Sequence, residues 1–143
     1  MKYKSILTVF VLFLLVGIFP CHLNAEENKI GIDKLAVLWT SGDPDVANRV
    51  AFMYAHNAKK VGWFREVTLI VWGPSQRLLL DDKNLQEKVK AMQNDGVVVE
   101  ACIACAMGYG IVEDLKKLGI TVKGMGEPLS NYLKDPEWKV LTF

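Results

Sequence analysis

The chain is short of the residues that most chemistry needs. It has three cysteines and two histidines, and its 17 Lys and Arg stand against 16 Asp and Glu, so charge of neither sign prevails. A balance this even gives no electrostatic footprint for nucleic acid. A second cysteine pair is missing, which argues against a zinc site, since such sites usually need about four protein ligands. Gly108-Tyr109-Gly110 and Gly124-Met125-Gly126 have neither the spacing of a dinucleotide fingerprint nor the lysine of a phosphate loop. No nucleotide, metal or other cofactor is implied. Repeats, low-complexity blocks and internal linkers are also missing, and after residue 25 no apolar run is long enough to cross a bilayer.

The one long apolar run lies at the start. Lys2 and Lys4 precede apolar residues from Ile6 to Phe19, and Leu23-Asn24-Ala25 leads into Glu26-Glu27. This is the order of a secretory signal, and the run falls short of the roughly 20 residues of a spanning helix. Cleavage is expected after Ala25. Cys21 follows Pro20, where lipidation needs a small residue, so a lipid anchor is not the preferred reading. Cleavage removes two lysines, Cys21 and His22, leaving 15 basic against 16 acidic residues, two cysteines and His56. The mature protein is then exported, to a periplasm or beyond the cell, with no membrane attachment. Residues 26–33 read as a short polar tail and 34–143 as a single domain, since about 118 residues suffice for one core and not for two.

Within that domain, short apolar runs alternate with helical patterns. Lys34 to Thr40 reads as a strand, closed by Ser41-Gly42-Asp43-Pro44, a turn with a capping side chain and a proline suited to a first helical turn. Val46, Val50, Met53 and Val61 mark the expected buried face of the helix that follows, up to Gly62. Glu66 to Trp72 is a second strand, then a turn at Gly73-Pro74-Ser75 and a brief Leu78-Leu79-Leu80 segment. Leu85, Val89 and Met92 line a second helix, closed at Asp95-Gly96. Val97 to Ala101, Ile120 to Lys123 and Trp138 to Thr142 complete five strands, with helices at Val112 to Leu118 and Pro128 to Leu133. This alternation predicts an α/β fold: three layers, α/β/α, around a mostly parallel sheet of about five strands. Ligands of such sheets sit beyond the C-terminal strand ends. Those ends carry Trp39, Ser41, Asp43, Trp72, Ser75, Cys102, Cys105 and Glu127.

Cys102-Ile103-Ala104-Cys105 is the sharpest motif, placed where the third strand gives way to a helical turn. Such a position favours a thiolate, the form that attacks disulfides or accepts sulfur. The same pair also suits a plain stabilising disulfide in an oxidising compartment. Ser41 and Asp43 are ordinary capping residues as well as candidate ligand contacts, and Trp39 and Trp72 serve equally for packing or for walling a pocket. His56, alone on a helix, is left outside the site.

The run VVVEACIACAMGYGIVEDLKKLGITV, from Val97 to Val122, resembles the third strand and cysteine loop of the DsrE family, and LWTSGDPDVANRVAFMYAHNAKKVG resembles its first strand and helix. The likeness spans Lys34 to Phe143. It implies that Cys102, followed eight residues later by Gly110, takes the place of the family's sulfur acceptor. Cys105 corresponds to a second cysteine that some members carry, which makes it a resolving thiol. It further implies a homotrimer or homohexamer and a sulfur donor or thiol partner protein. Two departures stand out: Tyr109 replaces the family's arginine before that glycine, and Trp72-Gly73-Pro74-Ser75 replaces its acidic, glycine-rich turn. An exported member also has no access to the cytoplasmic relay that carries persulfide sulfur toward transfer RNA. Two readings therefore stand: sulfur or thiol handling through Cys102 and Cys105, and a non-catalytic oligomeric module that binds a small ligand beside a structural cysteine pair.

Overall fold

The computed structural model describes residues 33–143; the expected signal, its cleavage point and most of the polar tail lie outside the described residues. Five strands, β1 (Lys34–Trp39), β2 (Glu66–Val71), β3 (Val98–Cys102), β4 (Thr121–Lys123) and β5 (Trp138–Thr142), form one sheet in the order β4-β3-β2-β1-β5. Every pairing in it is parallel. The mostly parallel, five-stranded sheet expected from the sequence is thus parallel throughout.

Strand order decides where the helices go. From β1 to β4 the chain steps in one direction across the sheet, so right-handed crossovers place every intervening helix on one face. These helices are α1, which runs through Pro44–Val46, a π-helical turn Ala47–Ala51 and Phe52–Lys60, then α2 (Pro74–Asp81), α3 (Lys83–Asn94), α4 (Ile103–Tyr109) and α5 (Val112–Lys117). The return from β4 to β5 puts α6 (Gly126–Lys134) on the opposite face. Packing follows that division. On the first face Leu35, Val37, Val67, Leu69 and Val99 meet Ala51, Phe52, Leu79, Leu85 and Met92 in one large core. On the second, Ala36, Ile70, Cys102 and Met125 form a small cluster flanked by Leu129, Tyr132 and Trp138.

Three local readings need correction. The buried face of α1 is not Val46, Val50, Met53 and Val61: Val50, Met53 and Val61 are exposed, whereas Ala47, Ala51, Phe52, Ala55 and Ala58 are buried. Alanines let the helix lie close on the sheet, and the π turn shifts the phase that a uniform 3.6-residue period assumes. Gly73-Pro74-Ser75 is not merely a turn, because Pro74 is a first-turn residue of α2, a helix that also absorbs the Leu78-Leu79-Leu80 segment. Gly73 enters it at φ +71, a conformation that side chains with a Cβ rarely adopt. Finally, the third strand extends to Cys102, so the cysteine belongs to the sheet as well as to the turn.

Candidate functional site: a dithiol at the end of β3

Cys102 is the last residue of β3 and the N-cap of α4, with extended backbone at φ −72 and ψ 116. Alternation along a strand puts its side chain on the same face as Val98 and Glu100, the face covered by α6. There it packs with Ile70 and Met125 and is 4% exposed. One turn into α4, Cys105 is half-buried against the same cluster, and both cysteines are free thiols. Burial pushes the Cys105 thiol up; the neighbouring Cys102 adds to this, while the Gly73 backbone and the Trp72 side chain favour its thiolate.

Gln76 fixes the backbone beneath the sulfurs. Fully buried in α2, its Nε2 donates to the Val71 carbonyl at 3.0 Å and to the Cys102 carbonyl at 2.9 Å, tying together the ends of β2 and β3. Its Oε1 has no protein partner among the described residues. Nothing in the sequence singled out Gln76; the available signal was an amide in the first turn after a strand-end Gly-Pro, where β2 must be joined to its neighbour.

A polar group lies on the same face, one step back from Cys102. Glu100 is 6% exposed. Its carboxylate accepts from Lys123 Nζ at 2.6 Å and from the Tyr132 hydroxyl of α6 at 3.3 Å. In register, Lys123 stands directly opposite Cys102. Burial raises the Tyr132 hydroxyl, and the Glu100 charge adds to the shift. An isolated acid two residues before the cysteine in an apolar strand was the visible sign of this group. Arg77 of α2 stacks on the Tyr109 ring of α4, its guanidinium carbon 4.9 Å from the ring centroid.

The other expected site residues divide. Trp72 joins the two cysteines in the small cluster. Trp39 does not: it points to the opposite face, fully buried and edge-on to Phe52 at 4.8 Å. Ser75 is buried, and its hydroxyl donates to the Trp39 carbonyl at 2.7 Å while accepting from the Trp72 amide at 3.1 Å, so it joins β1 to β2. Ser41 accepts from the Asp43 amide at 3.0 Å and Asp43 from the Asp45 amide at 2.8 Å, which makes them turn and cap residues at the start of α1. Glu127 is exposed in the first turn of α6. Among the described residues, no three His, Cys, Asp or Glu side chains converge on a metal position, and no helix is long and apolar enough to cross a membrane.

Comparison with known proteins fits this geometry. The family model for the DsrE/DsrF-like family matches residues 33–143. A solved structure of a conserved protein of unknown function, BT1422 from Bacteroides thetaiotaomicron, is 38% identical, covers 78% of this chain and 95% of its own, and superposes with a TM-score of 0.74. The crystal structure of the ychN protein from E. coli shares the fold at 18% identity and a TM-score of 0.54, covering 78% of this chain and 99% of its own. No curated protein matches the chain. A family match over the whole described region, a relative of common fold at 38% identity, and a parallel sheet ending in the expected cysteine loop together establish that the chain belongs to the DsrE/DsrF-like family.

Proposed function

We propose that this protein handles sulfur or thiols through the Cys102 and Cys105 pair, with Cys102 as the acceptor and Cys105 as the resolving thiol. The observation that carries this reading is the pairing of two free thiols at the end of β3 in a family generally tied to sulfur relay. In the first step the Cys102 thiolate attacks the outer sulfur of a donor persulfide; a new sulfur–sulfur bond forms, the donor's bond breaks, and the donor leaves as its thiolate. In the second, the Cys105 thiolate attacks the Cys102 sulfur, forming the Cys102–Cys105 disulfide and releasing hydrosulfide. A dithiol partner then reduces the disulfide by exchange and is itself oxidised. Trp72 and Met125 border the pair and set which donor enters.

Export and self-association belong to the same proposal. Residues 1–25 act as a cleaved signal, delivering the protein to a periplasm or the exterior, where it forms a homotrimer or homohexamer. N-terminal sequencing and light scattering of the processed form test both. The sulfur chemistry is tested by treating reduced protein with polysulfide and weighing it. Wild type ends two hydrogens lighter, as the disulfide, Cys105→Ala gains one sulfur atom and Cys102→Ala gains none; sulfur uptake by Cys102→Ala equal to that of Cys105→Ala defeats the proposal.

A second reading rests on the 4% exposure of Cys102, since reactive cysteines are generally more accessible. Here the domain binds a small ligand near Trp72 and the cysteines are structural. A ligand-induced thermal shift that survives removal of both cysteines supports this reading over the first.

A further inference from the structure

On the helix-rich face, away from the cysteines, the surface between α1 and α3 opens into a cavity of about 260 Å³. Its floor is closed by apolar side chains, Phe52 at 3% exposure and Met92 fully buried, so the apolar surface open to a ligand is chiefly that of Met53 at the rim, 55% exposed. Its polar wall comprises Asn48, His56, Asn57 and Lys88. The partner found for the partly exposed Lys88 ammonium among the described residues is the neutral Asn48 side-chain oxygen, with no carboxylate paired to it. His56 is committed elsewhere, its Nε2 lying 2.6 Å from Asp95 Oδ2, and Asp95 does not line the cavity.

The backbone at this place is also unusual. Asn48 lies within the π turn of α1 and Phe52 directly after it. Such turns are rare, occur mostly as single bulges inside α-helices and are frequent at functional sites. An apolar floor, a single unmatched cation and a bulged helix wall describe a recess for an anion with an apolar body. Its volume falls below the roughly 300 Å³ at which pockets for drug-sized ligands begin, so the ligand is small.

We propose that this cavity binds a small monocarboxylic acid, its carboxylate on Lys88 and its apolar body against Met53 and the exposed edge of Phe52. The site is independent of the cysteines, which lie across the sheet. The test is a titration of isotope-labelled protein with sodium benzoate at constant ionic strength, followed by NMR, with benzyl alcohol as the uncharged counterpart. Benzoate is expected to shift the Asn48, Met53 and His56 resonances saturably. Removing one charge-assisted contact weakens binding about tenfold or more, which is the loss expected for benzyl alcohol and for Lys88→Met. Met53→Glu, a change at an exposed position that sets a carboxylate at the rim, weakens it comparably while leaving the fold unaffected. Absence of saturable shifts at these residues, equal binding of the alcohol, or undiminished binding by both variants overturns the proposal.

Discussion

The two faces of the sheet are built differently. One carries five helices and a continuous apolar core; the other carries α6 alone, over a cluster in which cysteine, glutamate, lysine and tyrosine sit among a few apolar side chains. Burial of apolar area makes the first face the seat of stability. The second face hosts ionisable and nucleophilic groups because one short helix shields them without sealing them in a large core. Under the proposed function, stability and chemistry lie on opposite sides of one sheet.

The sharpest way to break this comparison is to truncate matching leucines. Leu69→Ala, in the thick layer, should destabilise the protein by about 3–5 kcal/mol, the range for a fully buried leucine that leaves a cavity. Leu129→Ala, a half-buried residue of α6 itself that packs on the small cluster, should cost about 1 kcal/mol. Denaturant midpoints measure both, and equal losses would erase the distinction. Next comes Lys123→Met, which leaves Glu100 buried without its cation. Breaking a fully buried pair costs about 3–5 kcal/mol, and because the Lys123 side chain is 40% exposed, about 2–3 kcal/mol is expected here.

A smaller effect is expected at the seam between the layers. Gln76→Ala strips the Val71 and Cys102 carbonyls of a donor at the cost of about 1–2 kcal/mol. Loosening the end of β3 should also speed alkylation of Cys102, and an unchanged rate would show that Gln76 does not hold the cysteine loop. The smallest effect is pH-dependent. Folding raises the Cys105 thiol, so its contribution to stability is complete below the ordinary thiol value of about 8.5 and fades as pH climbs through the raised one. Urea midpoints of wild type should therefore fall more steeply with alkaline pH than those of Cys105→Ala.

The sheet was legible in the sequence because its strands are short apolar runs, of which the first, second and fourth end at glycine, proline or a capping residue. Trp138 to Thr142 matches β5 residue for residue, and Leu85, Val89 and Met92 are all buried as their spacing requires. What escaped was phase and face. Ala47, Ala51, Ala55 and Ala58 are the signal for the buried side of α1, but the larger valines carry more of the hydrophobic pattern, and a π turn has no mark in it. Trp39 and Trp72 both follow apolar runs, but strand register puts Trp39 on the thick face and Trp72 beside the thiols, a difference that side-chain alternation reveals only once β1 and β2 are aligned. The CxxC pair was plain to read. Gln76, Glu100 and Lys123 were not, since their importance comes from long-range contacts alone.

The central claim, that the thin face performs dithiol chemistry in a fixed order, is tested most directly by comparing hydrosulfide release and persulfide retention in wild type and Cys105→Ala after polysulfide treatment. The account predicts that wild type releases hydrosulfide and ends as the Cys102–Cys105 disulfide, while Cys105→Ala keeps the added sulfur on Cys102. Equal hydrosulfide release by both proteins, or sulfur found on Cys105 with Cys102 unmodified, would contradict it.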